Sequence, residues 1–164
     1  MAFFRILFFL PLFVALFAVG VAAQGTQVAF GAIQQNDGLP VEVTADNLEV
    51  DQATGEATFS GNVLVVQGEM RLSADNVHVV YDQEARTIAR MDATGSVLLV
   101  SGPDAAESQK AEYTIDSGTI VMTGNVLLNQ GPSTISGERM IVNLTTGSAR
   151  ISGRVRTLLN TGGD

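Results

Sequence analysis

Cysteine and tryptophan are absent from the 164 residues, histidine occurs once, and nine basic residues stand against 17 acidic ones. Each scarcity removes a class of chemistry. Without cysteine there is no disulfide framework and no thiolate metal site. His78 alone is too little for a zinc site. Its neighbours Val77, Val79 and Val80 mark it as an outward residue in mid-strand, with no distinctive serine motif to make it a general base. The acidic balance argues against nucleic acid as a partner and against general attraction to anionic headgroups. The phosphate-binding GxxxxGKS/T run is missing, as are GxGxxG after a strand, GxSxG and HExxH. Asp46, Asp51, Asp75, Asp82, Asp92 and Asp116 recur along the chain without the tight clustering of calcium loops, and read as turn residues. The chain is expected to be no enzyme and to carry neither cofactor nor metal.

Long apolar runs are also scarce: there is one, at the start. Met1 to Arg5 carries a single positive charge, Ile6 to Val19 is almost wholly apolar, and the small residues Val21-Ala22-Ala23 precede Gln24. That is the layout of a cleaved export signal over residues 1–23. The rival is an uncleaved anchor, but Ile6 to Ala23 is near the lower limit for a spanning helix, and Pro11 and Gly20 interrupt it. Export leaves eight basic residues against 17 acidic, because Arg5 departs with the signal. Residues 24–38 read as a flexible leader with one short strand around Val28 to Ala32, residues 39–159 as one folded unit, and 160–164 as a short tail. A unit of this size, lacking disulfides, can hold itself by apolar burial and backbone pairing.

What remains is uniform in texture. Short runs of Val, Leu, Ile and Thr alternate with Gly, Asn, Asp and Ser clusters, and no window carries a helical stripe, so the chain is all-β. A phrase recurs: Gly61-Asn62-Val63, Gly95-Ser96-Val97, Gly124-Asn125-Val126 and Gly153-Arg154-Val155, at spacings of 34, 29 and 29 residues. Such a period signals repeated strand pairs. Each glycine divides two apolar runs, where the absence of Cβ lets the chain bend or bulge. Alternation in Asn125–Asn129 puts Val126 and Leu128 on one face, and the repeat adds Val63, Val65, Val97 and Leu99. Val41, Val43, Leu72, Val77, Val79 and Tyr81 join them if the Asp-Asn pairs shift the register by one. Glu42, Arg71 and His78 fall on the opposite face, together with Leu64, Val66 and Leu98. Two sheets lined in this way enclose either a thin packed core or a narrow apolar slot.

From Pro40 to about Arg156 the text carries a more specific pattern: VEVTADNLEVDQATGEATFSGNVLVVQGEMRLSADNVHVVY, then AEYTIDSGTIVMTGNVLLNQGPSTISGERMIVNL. Ser60-Gly61-Asn62-Val63, Gln67-Gly68, Ala74-Asp75 and Thr123-Gly124-Asn125-Val126, in that order, resemble the OstA-like family of periplasmic lipopolysaccharide-transport proteins, typified by LptA. The resemblance implies an open, twisted β-jellyroll of two facing antiparallel sheets, located in the periplasm, with lipid A acyl chains in an apolar slot. It implies lipopolysaccharide as ligand and end-to-end self-association through unpaired terminal strands. The result would be a bridge between an inner-membrane LptC-like protein and an outer-membrane LptD-like translocon. On that reading the slot is lined by Val41, Val43, Phe59, Val63, Val65, Leu72, Val77, Val79, Val97, Leu99, Tyr113, Ile115, Val126, Leu128, Met140 and Val142. Arg71, Arg139, Arg154 and Arg156 are the candidate contacts to lipid A phosphates. The alternatives are a membrane-anchored LptC-like component of the same pathway and a structural β-solenoid or filament protein without ligand.

Overall fold

The computed structural model describes residues 26–29 and 39–159; the expected export signal, residues 24–25 and 30–38 of the leader and the tail at 160–164 lie outside those residues. The described residues form eleven strands and no helix: β1 (Thr26–Ala29), β2 (Glu42–Thr44), β3 (Asn47–Asp51), β4 (Glu56–Gln67), β5 (Met70–Asp82), β6 (Thr87–Ser101), β7 (Asp104–Thr114), β8 (Thr119–Gln130), β9 (Ser133–Asn143), β10 (Ser148–Ser152) and β11 (Arg156–Leu158). All pairings are antiparallel, in the order β1-β10-β9-β8-β7-β6-β5-β4-β2, with β3 also on β4 and β11 also on β9. The two ends of this order do not meet, so the sheet is open.

β2 and β3 are two parts of one strand, broken at Ala45-Asp46, and β10 and β11 are likewise broken at Gly153-Arg154. The architecture is therefore eight long strands, each bent in the middle. Register shifts mark the bend between Ser60 and Val63, Ser73 and Asn76, Thr94 and Val97, Glu107 and Lys110, and Thr123 and Val126. The two facing layers are thus one continuous sheet folded over along a line of bulges. The two runs that each recurring glycine divides therefore fuse across that line: those on either side of Gly61 are both parts of β4.

The recurring glycine makes the bend. Gly61, Gly95, Gly124 and Gly153 have φ of 79°, 79°, 86° and 81°, and the next residue is also left-handed in each case. A Cβ on these four glycines would lie 2.6 Å from Asp46 Oδ2, 2.3 Å from Asp75 Oδ2, 2.6 Å from Gln109 Oε1 and 2.6 Å from Glu138 Cβ. Across the first corner Asp46 N–H donates to the Gly61 carbonyl and Asn62 Nδ2 donates to Asp46 Oδ2, both short.

Turns differ on the two sides of the bend. One half of the sheet is closed by two-residue turns, Gly68-Glu69, Gly102-Pro103 and Gly131-Pro132, whose leading glycine has positive φ. Pro103 and Pro132 hold the second place at negative φ, and Glu69 is not left-handed either, so these are II′-type hairpins, whose twist suits antiparallel strands. We call this the short-turn half. The long-turn half is closed by four-residue turns at 52–55, 83–86, 115–118 and 144–147. There Asp51 Oδ1 accepts from Ala53 N–H at 2.8 Å and Asp82 Oδ1 from Glu84 N–H at 2.9 Å, which is the turn role expected of these acids.

The core lies between the halves. Alternate residues point inward from both, and among the described residues 24 apolar side chains are buried, from Val63 and Val65 to Ala149 and Ile151. The opposite face of the short-turn half is only partly polar, with Leu64 36% exposed beside exposed Glu42 and Arg71.

Candidate functional site

The interior is built from cross-strand rows. On the short-turn half, Val43, Val65, Leu72, Leu99, Ala106, Leu128 and Ile135 are successive partners. Beside them and nearer the bend lie Val63, Ala74, Val97, Ser108, Val126 and Gly137. Facing them, the long-turn half carries Phe59, Val77, Ala93, Ala111, Met122, Met140 and Ile151 in one row. Its second row is Ala57, Val79, Met91, Tyr113, Ile120, Val142 and Ala149. Of the residues expected to line the slot, Val63, Val65, Leu72, Val77, Val79, Val97, Leu99, Tyr113, Val126, Leu128, Met140 and Val142 are buried in this interior. Val41, Val43, Phe59 and Ile115 are half-buried and pack against it.

Tyr81 follows a second register shift, between Val80 and Tyr81: it pairs with half-buried Ile88 at the end of β5, is 40% exposed, and its hydroxyl donates to the Arg86 carbonyl.

Across the middle and the β10 end the two halves touch. The buried apolar residues are all between 0% and 6% exposed, and a Cβ on Gly137 would lie 2.5 Å from Ile151 Cγ2 on the facing half. Of the two arrangements open from sequence, the thin packed core describes this stretch. The β2–β3 end is different. Leu48 and Val50 pair with Phe59 and Ala57, so they face inward, yet both are 56% exposed. Together with half-buried Val41, Val43, Ala57 and Phe59 they form an apolar mouth continuous with the core. Leu48, Val50 and Ala57 were not among the expected lining residues, although the alternation Asn47-Leu48-Glu49-Val50-Asp51 carries the signal.

Beside the short turns the inner row becomes polar. Gln130 Nε2 donates to Asp104 Oδ2 at 3.0 Å, and Asp104 is only 4% exposed. Tyr113 on the long-turn half donates its hydroxyl to Gln67 Oε1 on the short-turn half at 2.8 Å, and Gln67 Nε2 donates to the Leu39 carbonyl at 3.3 Å. Gln67 therefore straps the two layers and the entry of β2 together.

The four candidate arginines are not brought to one place. Arg71 is on the outer face of β5 opposite Val66 and Val100, while Arg139 lies four strands away on β9 opposite Thr123 and Ser152. Arg154 stands at the last bend, 3.8 Å from Glu138, with its side chain 93% exposed, and Arg156 is exposed on β11. Arg139 also lines a shallow outer groove of about 430 Å³ with Arg90, Lys110, Asp92 and Glu112, a surface of mixed sign. His78 lies outward as expected: Nδ1 is 3.1 Å from Thr58 Oγ1 and Nε2 is 3.5 Å from Glu56. Among the described residues no three His, Asp or Glu side chains gather where they could hold a metal ion.

Residues 42–148 match the family model described as LptA/(LptD N-terminal domain) LPS transport protein. An uncharacterized protein of Rhizobium meliloti (strain 1021) is 30% identical over 115 residues, covering 66% of this chain and 62% of that protein. The LPS-assembly protein LptD of Vibrio cholerae is 42% identical over 72 residues, 44% of this chain but 8% of that much longer protein. The chain thus spans less than two thirds of either curated relative. Among solved structures, LptH of Pseudomonas aeruginosa, titled as the LptA-homologous periplasmic component of the lipopolysaccharide transport device, superposes with a TM-score of 0.66. That match has 19% identity over 74% of this chain and 95% of LptH, and it supports the open jellyroll fold. Fold and family model agree, and the chain belongs to the LptA/LptD N-terminal-domain family of lipopolysaccharide-transport proteins, a transport family rather than an enzyme family.

Proposed function

We propose that this chain works in the periplasm, shielding the acyl chains of lipid A between its two layers and passing lipopolysaccharide on as part of a bridge. The observation that carries the reading is the apolar mouth: Leu48 and Val50 face inward, stay 56% exposed, and begin rows that run unbroken into the core. Each methylene moved from water to such a surface contributes about 0.8 kcal/mol, so ten would contribute roughly 8 kcal/mol before binding costs. A lipid with several chains then seldom escapes into water, but passes to an equivalent neighbouring mouth at little net cost. Chains entering deeper require the layers to part about the line of bulges, and the packed interior is the resting state of that hinge. The bridge ends on an inner-membrane LptC-like protein and an outer-membrane LptD-like translocon, with copies of this chain joined end to end between them.

Photo-crosslinking tests the reading. Probes at Val43, Leu48, Phe59 and Val97 are expected to capture lipopolysaccharide in living cells, while probes at the outward positions Glu107 and Glu112 do not. Capture at none of the inward positions would sink the lipid reading and leave a structural β-protein with a packed core.

A further inference from the structure

β1 is the one described strand whose partner is remote in the chain: Thr26 pairs with Ile151, Gln27 with Arg150, Val28 with Ala149 and Ala29 with Ser148. Every other pairing joins strands that are consecutive or separated by one short strand. β1 pairs with the outer edge of β10, and among the described residues no strand pairs with the outer edge of β11.

The strand count says what else fits that edge. Eight bent strands is an even number, so the first bent strand of a second copy would run antiparallel to the last bent strand of the first. The first strand passes from β2 on the short-turn half to β3 on the long-turn half; the last passes from β10 on the long-turn half to β11 on the short-turn half. Set edge to edge, β3 of one copy falls on β10 of the other and β2 falls on β11. The inward row that begins at Leu48 ends at Ile151, and the row that begins at Val50 ends at Ala149. A second copy continuing both rows places Leu48 against Ile151 and Val50 against Ala149. β1 already occupies those positions in the same direction, with Thr26 and Val28 in place of Leu48 and Val50.

We infer that β1 is an intramolecular stand-in for β3 of a second copy. In the lone chain it satisfies the open edge of β10, which unprotected would recruit strands indiscriminately. When the next copy arrives, its β2 meets the β11 edge, which no described strand occupies, and its β3 then displaces β1 from β10. The exchange runs forward because β1 offers four residues, whereas β2 and β3 offer eight and cover Leu48 and Val50. Chain-end growth is thereby gated by a strand swap. This inference rests on the end-to-end association proposed above.

Sedimentation velocity over a range of protein concentrations tests it, using three variants of the purified protein. Deleting Thr26–Ala29 removes the competitor, and because tethered segments act at millimolar effective concentration, association is expected at least about tenfold tighter than in the unaltered protein. Gln27→Cys with Arg150→Cys locks β1 onto β10; the chain has no other cysteine, so the oxidised protein is expected to stay monomeric and to associate once reduced. Val50→Lys puts a charge into the incoming edge and is expected to abolish association in both backgrounds. If the deletion leaves association unchanged or weakens it while Val50→Lys still abolishes it, β1 is no competitor and the inference is overturned alone. If no background associates, or Val50→Lys changes nothing, the end-to-end reading falls and the inference falls with it.

Discussion

At each corner of the sheet one glycine meets two demands. At position 95 the backbone has a φ of 79°, and the space where a Cβ would stand is occupied by Asp75. A left-handed conformation costs an L-residue roughly 1–2 kcal/mol, and the contact adds to that. Gly95→Ala is therefore expected to destabilise the protein by more than about 2 kcal/mol in urea unfolding. Combining it with Asp75→Ala should recover the steric part and leave the backbone part, which a double-mutant cycle separates. Arg86 shows the reverse case. In three of the four long turns the residue with positive φ is a glycine, at 55, 118 and 147, but in the fourth it is Arg86 at 58°. Arg86→Gly relieves that strain at some cost in unfolded-chain entropy, and a gain of roughly 0.5–1 kcal/mol in the same measurement is the expected balance. The bond from Tyr81 survives, since its acceptor is the backbone carbonyl.

Elements were legible where period and turn chemistry were both local. The alternation in Asn125–Asn129 gave the inward face of β8, and the Gly-Asn-Val phrase located the bends. What the phrase did not disclose is its cross-strand partner. Asp46, Asp75, Gln109 and Glu138 share no chemistry beyond a polar side chain that can lie over a glycine, so no motif announces them. The second register shift, between Val80 and Tyr81, escaped because a bulge two residues from a strand end leaves no mark on the period. The β1–β10 pair escaped because nothing local in a four-residue strand names a partner so far along the chain. The strap between layers belongs to this scale too. Tyr113→Phe removes the hydroxyl that reaches Gln67 and keeps the ring in the core. A loss of about 1 kcal/mol in stability is expected. If the layers must part to admit lipid, the same variant should load lipopolysaccharide faster in a stopped-flow displacement assay. Slower loading would mean that the bond shapes the mouth rather than restraining it.

For the molecule as a whole, two forces could hold a phosphorylated lipid, and they answer differently to salt. The chain carries a formal charge of −8, and its candidate arginines lie on outer faces, spread from β5 to the last bent strand. Attraction between exposed arginines and lipid phosphates is screened over about 10 Å at 0.1 M salt and less at higher concentrations. Burial of acyl chains is strengthened by salts excluded from apolar surface. With the repulsion between an acidic protein and lipid A phosphates also screened, affinity for lipopolysaccharide should hold or rise from about 0.05 to 0.5 M sodium chloride. Replacing Arg71, Arg139, Arg154 and Arg156 one at a time with alanine should each change it less than threefold, roughly the range of an exposed ion pair. Leu48→Asp at the mouth should weaken it at least tenfold, about the effect of losing one buried aliphatic side chain, while leaving the unfolding midpoint nearly unchanged because the residue is already 56% exposed. A tenfold fall in affinity with salt, concentrated on one arginine, would instead place the lipid headgroup on that residue and make charge rather than burial the force that holds the ligand.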